Sequence, residues 1–181
     1  MPIEIEKKYR LTDQQRDRLL RLLPEIAAGS HPERFEENIL FAGPGLDSGL
    51  AALRLRRIEG AAILTYKKRI PSSDAMKHQR EEETEVADAD ATMAILECLG
   101  FTPRLVYEKR RSIWKVRDAE VVLDELPFGL FMEIEGSEAD IIAIERQLGI
   151  PDLEPEHATY PRLTQLHGTA NGPLIEARFT D

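Results

Sequence analysis

Residues 3–9 have the sequence Ile-Glu-Ile-Glu-Lys-Lys-Tyr, which alternates apolar and charged side chains except at Lys7. Successive side chains of a β-strand point to opposite sides, so Glu4, Glu6 and Lys8 share one face of a strand here. The other face carries two isoleucines and a tyrosine. The stretch therefore predicts a strand with one charged face and one largely apolar face.

Later segments repeat this spacing of charged residues two positions apart. The further pairs are Arg54 and Arg56, Lys109 and Arg111, and Glu133 and Glu135. A single pair of this kind usually marks a solvated face. Four such pairs on separate strands make it less plausible that all of them mark solvated faces. They favour a charged interior that holds a highly charged ligand and a metal ion.

The composition predicts one globular domain and excludes some partners. The chain has 181 residues and a formal net charge of −9. A generic nucleic-acid binder needs cations to neutralise phosphates, so we expect no nucleic acid. A small anionic ligand remains compatible, because a local pocket can be basic on an acidic protein. Whether the protein is a monomer or a homodimer stays open.

Cysteine content and hydropathy indicate a cytoplasmic location. The single cysteine, Cys98, excludes an intramolecular disulfide, and its apolar neighbours predict a core thiol. The N-terminal residues show no secretory signal. No stretch approaches the roughly 20 apolar residues of a membrane span, so we expect no membrane partner.

Eight strand-like segments alternate with amphipathic helices along the chain. The predicted strands cover 3–10, 34–41, 50–59, 61–69, 78–86, 105–116, 120–126 and 130–135. Predicted helices begin at Thr12, at Asp88 or Asp90, at Ser137 and at Pro161. Pro24 is expected to close the first helix, in which Gln15 completes a capping box.

These elements predict an α+β fold. Helices pack on apolar surface, so the apolar strand faces point outwards beneath the helices and the charged faces line an interior. About eight mostly antiparallel strands that close into a β-tunnel can enclose one small ligand. We expect one domain over residues 1–168, an exposed connection at 71–77 and a loosely held tail at 169–181.

Two sets of charged residues are the candidate ligands of that interior. Arginine and lysine bind phosphate oxygens, and the basic set is Lys8, Arg54, Arg56, Lys67, Arg80, Lys109 and Arg111. Carboxylates bind hard cations, and the acidic set is Glu4, Glu6, Glu82, Asp124, Glu133 and Glu135. A polyphosphate placed between the cations and a carboxylate-bound metal ion satisfies both sets.

Motifs along residues 3–167 resemble those of the CYTH superfamily, the triphosphate tunnel metalloenzymes. Near the start the similar motifs are Glu4-Ile-Glu6-Lys-Lys8 (ExExK), Arg54-Leu-Arg56 (RxR), Leu64-Thr65-Tyr66-Lys67 (LTxK) and Arg80-Glu81-Glu82 (RxE). Further on they are Lys109-Arg-Arg111 (KxR), Asp124, Glu133-Ile-Glu135 (ExE), and Tyr160 ahead of Leu163. The chain departs from the family at Thr84, where a second acid is usual, and at Thr159, where serine is usual. A bulge would allow Glu83 or Glu85 to replace the missing acid.

The resemblance implies a closed eight-stranded tunnel that binds a triphosphate-containing small molecule and needs Mg²⁺ or Mn²⁺. Carried over to this sequence, it assigns the metal to Glu4, Glu6, Glu133 and Glu135, with Asp124 and Glu82 assisting. The seven cations named above would clamp the triphosphate. Lys8 and Lys67 are the candidates for protonating the leaving group.

Three functions remain open on the sequence. The first is metal-dependent hydrolysis of inorganic triphosphate, thiamine triphosphate or a nucleoside triphosphate. The second is a class IV adenylyl cyclase, which converts ATP to cyclic AMP and pyrophosphate. The third is a non-catalytic module that binds polyphosphate or nucleotides. The carboxylates of the acidic set disfavour the third function, because simple anion binding does not require them.

Overall fold

The computed structural model describes residues 3–46, 50–70 and 77–180, with backbone alone at 3, 4, 69, 70 and 77–79. Its strands are β1 (Ile3–Leu11), β2 (Gly29–Ala42), β3 (Ala51–Ile58), β4 (Ala61–Ile70), β5 (Lys77–Val86), β6 (Thr102–Val116), β7 (Ala119–Leu126), β8 (Gly129–Glu135), β9 (Glu154–Pro155), β10 (Thr169–Asn171) and β11 (Leu174–Ala177). Its helices are α1 (Asp13–Ile26), α2 (Ala89–Cys98), α3 (Glu138–Leu148) and α4 (Tyr160–His167). The predicted connection at 71–77 lies outside the described residues except for Lys77.

The strands form one large, mostly antiparallel sheet, which confirms the α+β class. Their order is β10-β11-β6-β2-β3-β4-β5-β1-β8-β7, and β6 additionally pairs with β7. The sheet has eleven strands where the sequence predicted eight. The extra strands β9, β10 and β11 have two to four residues each, too few for a period-two pattern to be recognised.

Local capping explains where the helices begin. Thr12 Oγ1 accepts a hydrogen bond from the Gln15 amide, and the Gln15 side chain accepts one from the Thr12 amide, so the predicted capping box is confirmed. Helix α1 continues past Pro24 to Ile26, because a proline in the last turn removes only one intrahelical hydrogen bond. In the part of the chain that is described, every helix is too short or too polar to cross a membrane.

The main core lies between the outer face of the sheet and helices α1 and α3. Leu19 and Leu23 of α1 and Ile141 of α3 are fully buried against Met132 and Ile134 of β8. The predicted apolar face beneath the helices is therefore confirmed. Cys98 is exposed, so the prediction of a core thiol is wrong. In α2 the buried residue is Leu96, and a residue two positions further on a helix points about 200° away.

Residues 169–171 and 174–177, where the sequence predicted a loosely held tail, form strands β10 and β11 of the sheet. Strand β11 runs parallel to β6, with Ile175 opposite Leu105. Glu37 of β2 and Glu108 of β6 stand directly opposite each other, and like charges in that position repel. Arg178 contacts both carboxylates, at 2.8 and 2.9 Å, and so relieves this repulsion while it holds the C-terminal segment in place.

Candidate active site

Strand registers bring the charged residues of the motifs to one face of the sheet, which we call the inner face. Lys8 of β1 lies opposite Glu133 of β8, and Arg111 of β6 lies opposite Asp124 of β7. All four side chains are buried. Because side chains opposite each other in a register share a face, the inner face joins acidic and basic residues from four neighbouring strands.

Three carboxylates on the inner face form a potential cation site. Among the described residues, Glu6, Glu133 and Glu135 each offer one carboxylate oxygen, and these oxygens lie within 4.8 Å of one another. A set of carboxylate oxygens suits hard ions such as Mg²⁺ or Mn²⁺, so the donor chemistry fits the expected metal. The side chain of Glu4 falls outside the described part of the structure.

Asp124 is not part of this three-carboxylate group, and its two carboxylate oxygens accept hydrogen bonds from Arg111 and Tyr160. Arg111 donates from Nε to Asp124 Oδ1 at 2.7 Å and from Nη2 to Oδ2 at 2.6 Å. The hydroxyl of Tyr160 donates to Oδ2 at 2.8 Å. Such bidentate pairs fix a guanidinium firmly, so Asp124 orients Arg111 in this structure.

Arg111 links Asp124 to the carboxylate group. Its Nη2 also donates to Glu133 Oε2 at 2.7 Å, and its Nη1 lies 3.9 Å from Glu135 Oε1. Burial opposes the charge of this guanidinium, but the carboxylates of Asp124 and Glu133 outweigh burial and raise the pKa of Arg111 well above its usual range. Arg111 is therefore a permanent cation next to the proposed metal ligands.

Glu36 is a central residue of the site that the sequence analysis missed. It lies on the inner face of β2, is 0% exposed, and contacts Lys109 Nζ at 3.3 Å, Arg56 Nε at 3.7 Å and Arg34 Nε at 2.9 Å. Burial alone would raise the pKa of Glu36, but the surrounding cations outweigh it and hold the pKa below its usual range. The available signal was Glu36 and Asn38, two polar residues two positions apart in a predicted strand.

Lys109 has an unusual environment for a lysine. Its Nζ lies between Glu36 and Asp124, at 3.3 and 3.5 Å, and its side chain is almost completely buried. Burial and the neighbouring Arg111 lower the pKa of Lys109 to about 8, although the two carboxylates oppose this shift. The attraction of the Glu36 and Asp124 carboxylates thus only partly offsets the cost of burying the Lys109 ammonium beside Arg111.

Strands β3 and β4 contribute the second group of cations. Arg54 lies opposite Thr65 and donates to its hydroxyl at 3.3 Å, and Thr65 donates in turn to Glu83 at 3.0 Å. Lys67 forms an ion pair with Glu81 at 2.6 Å. Arg54, Arg56 and Lys67 therefore share the inner face, as the alternation within their strands predicts.

Arg80 and Glu82 lie on the opposite face of β5 from the site, contrary to the sequence prediction. Lys67 stands opposite Glu81, and Thr65 stands opposite Glu83, so the odd-numbered residues of β5 face inwards. The side chains of Arg80 and Glu82 are 44% and 52% exposed and pair with each other. Four consecutive charged residues give no alternation, and a register shift of one residue exchanges the two faces.

Helix α4 places Tyr160 against the charged residues. Tyr160 belongs to a buried, mainly apolar cluster, which we call the plug. Its members are Leu40, Leu105, Tyr107, Leu126, Phe131, Tyr160, Leu163 and Ala177. Lys8 Nζ lies 3.9 Å from the centre of the Tyr160 ring. Burial and the nearby Asp124 carboxylate raise the pKa of Tyr160 well above its ordinary value, so its hydroxyl remains a donor.

The inner face of the sheet joins buried carboxylates, which suit a hard cation, to buried cations, which suit an anion. The chain belongs to the CYTH family, because the CYTH domain matches residues 2–154. It is similar to the protein “Putative adenylate cyclase MJ0240” of Methanocaldococcus jannaschii. The two are 32% identical over 143 residues, which cover 77% of this chain and 79% of that protein.

Solved structures of other proteins share the fold. The PH1012 protein of Pyrococcus horikoshii OT3 is 26% identical with a TM-score of 0.76, over 88% of this chain and 98% of that one. “Putative adenylyl cyclase HpAC1” from Hippeastrum, described as having a dominant triphosphatase activity, is 20% identical with a TM-score of 0.68, over 88% of this chain and 93% of that one.

Proposed function

We propose that this protein is a divalent-metal-dependent phosphohydrolase of triphosphate compounds. The observation that carries the proposal is the position of Glu133. It belongs to the three-carboxylate group and also lies 2.7 Å from Arg111 and 3.5 Å from Lys8. Metal ligands and phosphate-binding cations therefore meet at one residue, as a metal-bound triphosphate requires.

The proposed binding chamber is a tunnel formed by β1 to β8. The pairing of β6 with β7, from Arg110 opposite Glu125 to Val116 opposite Ala119, supports a closed arrangement of these eight strands. The plug formed around Tyr160 would then lie at one end of the chamber. A chamber enclosed by eight strands suits one small ligand rather than a macromolecule.

In the proposed chamber the carboxylates would bind the metal ion, and the cations would bind the triphosphate. Glu6, Glu133 and Glu135 would hold Mg²⁺ or Mn²⁺, which polarises phosphate oxygens and lowers the pKa of bound water. The cations that would clamp the triphosphate are Lys8, Arg54, Arg56, Lys67, Lys109 and Arg111. They would stabilise the charge that develops on the leaving phosphate or pyrophosphate.

Lys8 is the stronger of the two candidates for protonating the leaving oxygen. Its Nζ is buried, 3.5 Å from Glu133 and over the ring of Tyr160. Lys67 is partly exposed and forms an ion pair with Glu81. A buried ammonium close to the reacting phosphates is better placed to deliver a proton than one at the edge of the chamber.

Adenylyl cyclisation is the second candidate function. The name of the Methanocaldococcus protein, 32% identical to this chain, favours it. In that reaction the ribose 3′-hydroxyl of ATP attacks the α-phosphorus and pyrophosphate leaves. The same metal ligands and cations would serve it, and the difference lies in how the substrate is held. The triphosphatase activity described for the Hippeastrum protein favours hydrolysis.

Product analysis distinguishes the candidates. Purified protein would be incubated with ATP, thiamine triphosphate or inorganic triphosphate, each with Mg²⁺ or Mn²⁺. We expect phosphate release without cyclic AMP, and the relative rates would identify the substrate. Cyclic AMP with pyrophosphate would establish the cyclase instead. Tight binding of triphosphate without any product would indicate the non-catalytic binding module.

Replacing one proposed metal ligand tests the site itself. Glu133→Gln keeps the size of the side chain but removes a charge from the carboxylate group, so turnover should fall by about a hundredfold or more. Glu97→Gln, on the exposed side of α2, is the matched control and should keep wild-type turnover. Far-UV circular dichroism would verify folding. Wild-type turnover by folded Glu133→Gln would contradict the assignment.

A further inference from the structure

Asn38 is a buried polar residue in the wall of the chamber whose hydrogen-bonding groups are unsatisfied. It lies on the inner face of β2, opposite Arg56 of β3 and Tyr107 of β6, and is 0% exposed. Neither Oδ1 nor Nδ2 has a hydrogen-bond partner among the described residues. Buried amides are nearly always hydrogen-bonded in native proteins, so we infer that Asn38 forms its hydrogen bonds when a ligand is bound.

Two neighbours of Asn38 are also incompletely bonded. Arg56 Nε and Glu36 Oε2 lack hydrogen-bond partners in the described part of the chain, although they lie 3.7 Å apart as an ion pair. Residues directly opposite in an antiparallel pair have Cβ atoms about 4.5–5.5 Å apart, so the Asn38 amide is within side-chain reach of Arg56. The three unsatisfied groups form one patch of the wall, beside the cations proposed to bind triphosphate.

The chemistry of an amide determines how this patch can meet an anion. Phosphate oxygens only accept hydrogen bonds, so an amide must approach them through its NH₂ group. Its carbonyl oxygen then needs a donor from the protein, and Arg56, directly opposite in the register, offers its buried Nε. We propose that Asn38 binds the triphosphate, donating from Nδ2 to a phosphate oxygen while its Oδ1 accepts from Arg56 Nε. This inference rests on the proposed function.

The arrangement also gives Asn38 an effect on Arg56. A hydrogen bond from Nε fixes the plane of the guanidinium and leaves the terminal nitrogens available for phosphate oxygens. The opposing explanation is that Asn38, Arg56 and Glu36 satisfy one another, directly or through buried water, as a structural network. The two explanations predict opposite effects on ligand-free stability.

Asn38→Leu separates these explanations, because it removes both polar atoms and keeps a similar volume. Binding of inorganic triphosphate with Mg²⁺ would be measured by calorimetry, and ligand-free stability by urea unfolding. We expect affinity to fall about tenfold or more, because a hydrogen bond to a charged group is lost. The urea midpoint should stay the same or rise, because the removed groups had no partners.

Asn38→Asp tests the role of the NH₂ donor with almost unchanged shape. It replaces the donor with a negative charge that repels the phosphate, so affinity should fall further than in Asn38→Leu. The matched control is Asn171→Leu, at the exposed last residue of β10, which should bind triphosphate like the wild type. Asn38→Asp also provides a result if Asn38→Leu fails to fold.

The outcomes distinguish this inference from the proposed function. If the wild type binds triphosphate and both Asn38 variants bind within twofold of it, Asn38 is not a ligand-binding residue and the inference is overturned. A lower urea midpoint with unchanged affinity would specifically establish the structural network. If the wild type does not bind triphosphate, the proposed function fails and the inference fails with it.

Discussion

Glu36 and Glu37 are adjacent in β2, yet they lie in opposite environments. Glu36 faces inwards and is surrounded by the cations Lys109, Arg56 and Arg34. Glu37 faces outwards and pairs with the partly exposed Arg57 and Arg178. If a buried carboxylate is removed, water cannot reach the cations around it to solvate their charge. If a partly exposed carboxylate is removed, water can solvate its former partners. The two residues therefore allow a comparison of a buried ion pair with a partly exposed one.

Glu36→Gln should destabilise the protein strongly, because it leaves buried cations without a counter-charge. Removing one member of a buried ion pair costs about 3–5 kcal/mol of unfolding free energy. Glu37→Gln on the outer face should cost about 0–1 kcal/mol. Urea unfolding at pH 7 measures both. Equal losses for the two variants would contradict the buried network around Glu36.

Lys109 predicts a specific pH dependence of stability. Its folded-state pKa of about 8 lies below the ordinary lysine value of about 10.4. Between these values the unfolded chain binds more protons than the folded protein, so this group makes stability rise with pH. The unfolding free energy of the wild type, relative to Lys109→Met, should therefore increase from pH 8 to pH 10. A difference that stays constant or decreases would place the folded pKa at or above its ordinary value.

At the scale of elements, β5 shows how neighbouring strands determine what one strand can contribute. Arg80 and Glu82 match a family motif in sequence, but the register with β4 turns Glu81 and Glu83 inwards. Strands β1 and β8 differ from β5, because apolar residues on one face mark which side is buried. The inner-face assignment of β5 is consequently a property of its pairing.

Lys67→Ala and Arg80→Ala should therefore affect triphosphate binding differently. Lys67 lies on the inner face, and loss of a charged contact with the ligand should weaken binding by about tenfold or more. Arg80 faces outwards and is partly exposed, so its removal should leave affinity within about twofold. Calorimetry with inorganic triphosphate and Mg²⁺ provides the comparison. A larger loss for Arg80→Ala would mean that β5 turns its other face towards the ligand.

At the scale of the whole molecule, charge is distributed very unevenly. The chain carries a net charge of −9, yet its interior contains Lys8, Arg56, Lys109 and Arg111. In the described structure these cations contact carboxylates such as Glu36, Asp124 and Glu133. A bound triphosphate and metal ion would add opposite charges to the same network, which links ligand binding to the stability of the entire sheet.

Triphosphate with Mg²⁺ should raise the melting temperature markedly. A ligand at a hundred times its Kd stabilises the folded state by about 2.7 kcal/mol. For a chain of this size that corresponds to about 5–11 °C. Differential scanning fluorimetry would measure it, with Mg²⁺ alone and monophosphate as controls. An equal shift with monophosphate would show that the chamber does not select for a chain of phosphates.

The amino-acid sequence by itself determined the charged and apolar faces of β1 and β8, the helix starts at Thr12 and Ser137, and most members of the charged set. These features depend on period-two alternation and on side chains that cap their own helix, both of which are local. Only the tertiary structure decided that Glu36 and Asn38 lie on the inner face and that Arg80 and Glu82 lie on the outer face. It alone also decided that the C-terminal segment pairs with β6. Each of these depends on strand register or on partners distant in sequence, and a run of charged residues such as Arg80–Glu83 has no apolar side to specify its own orientation.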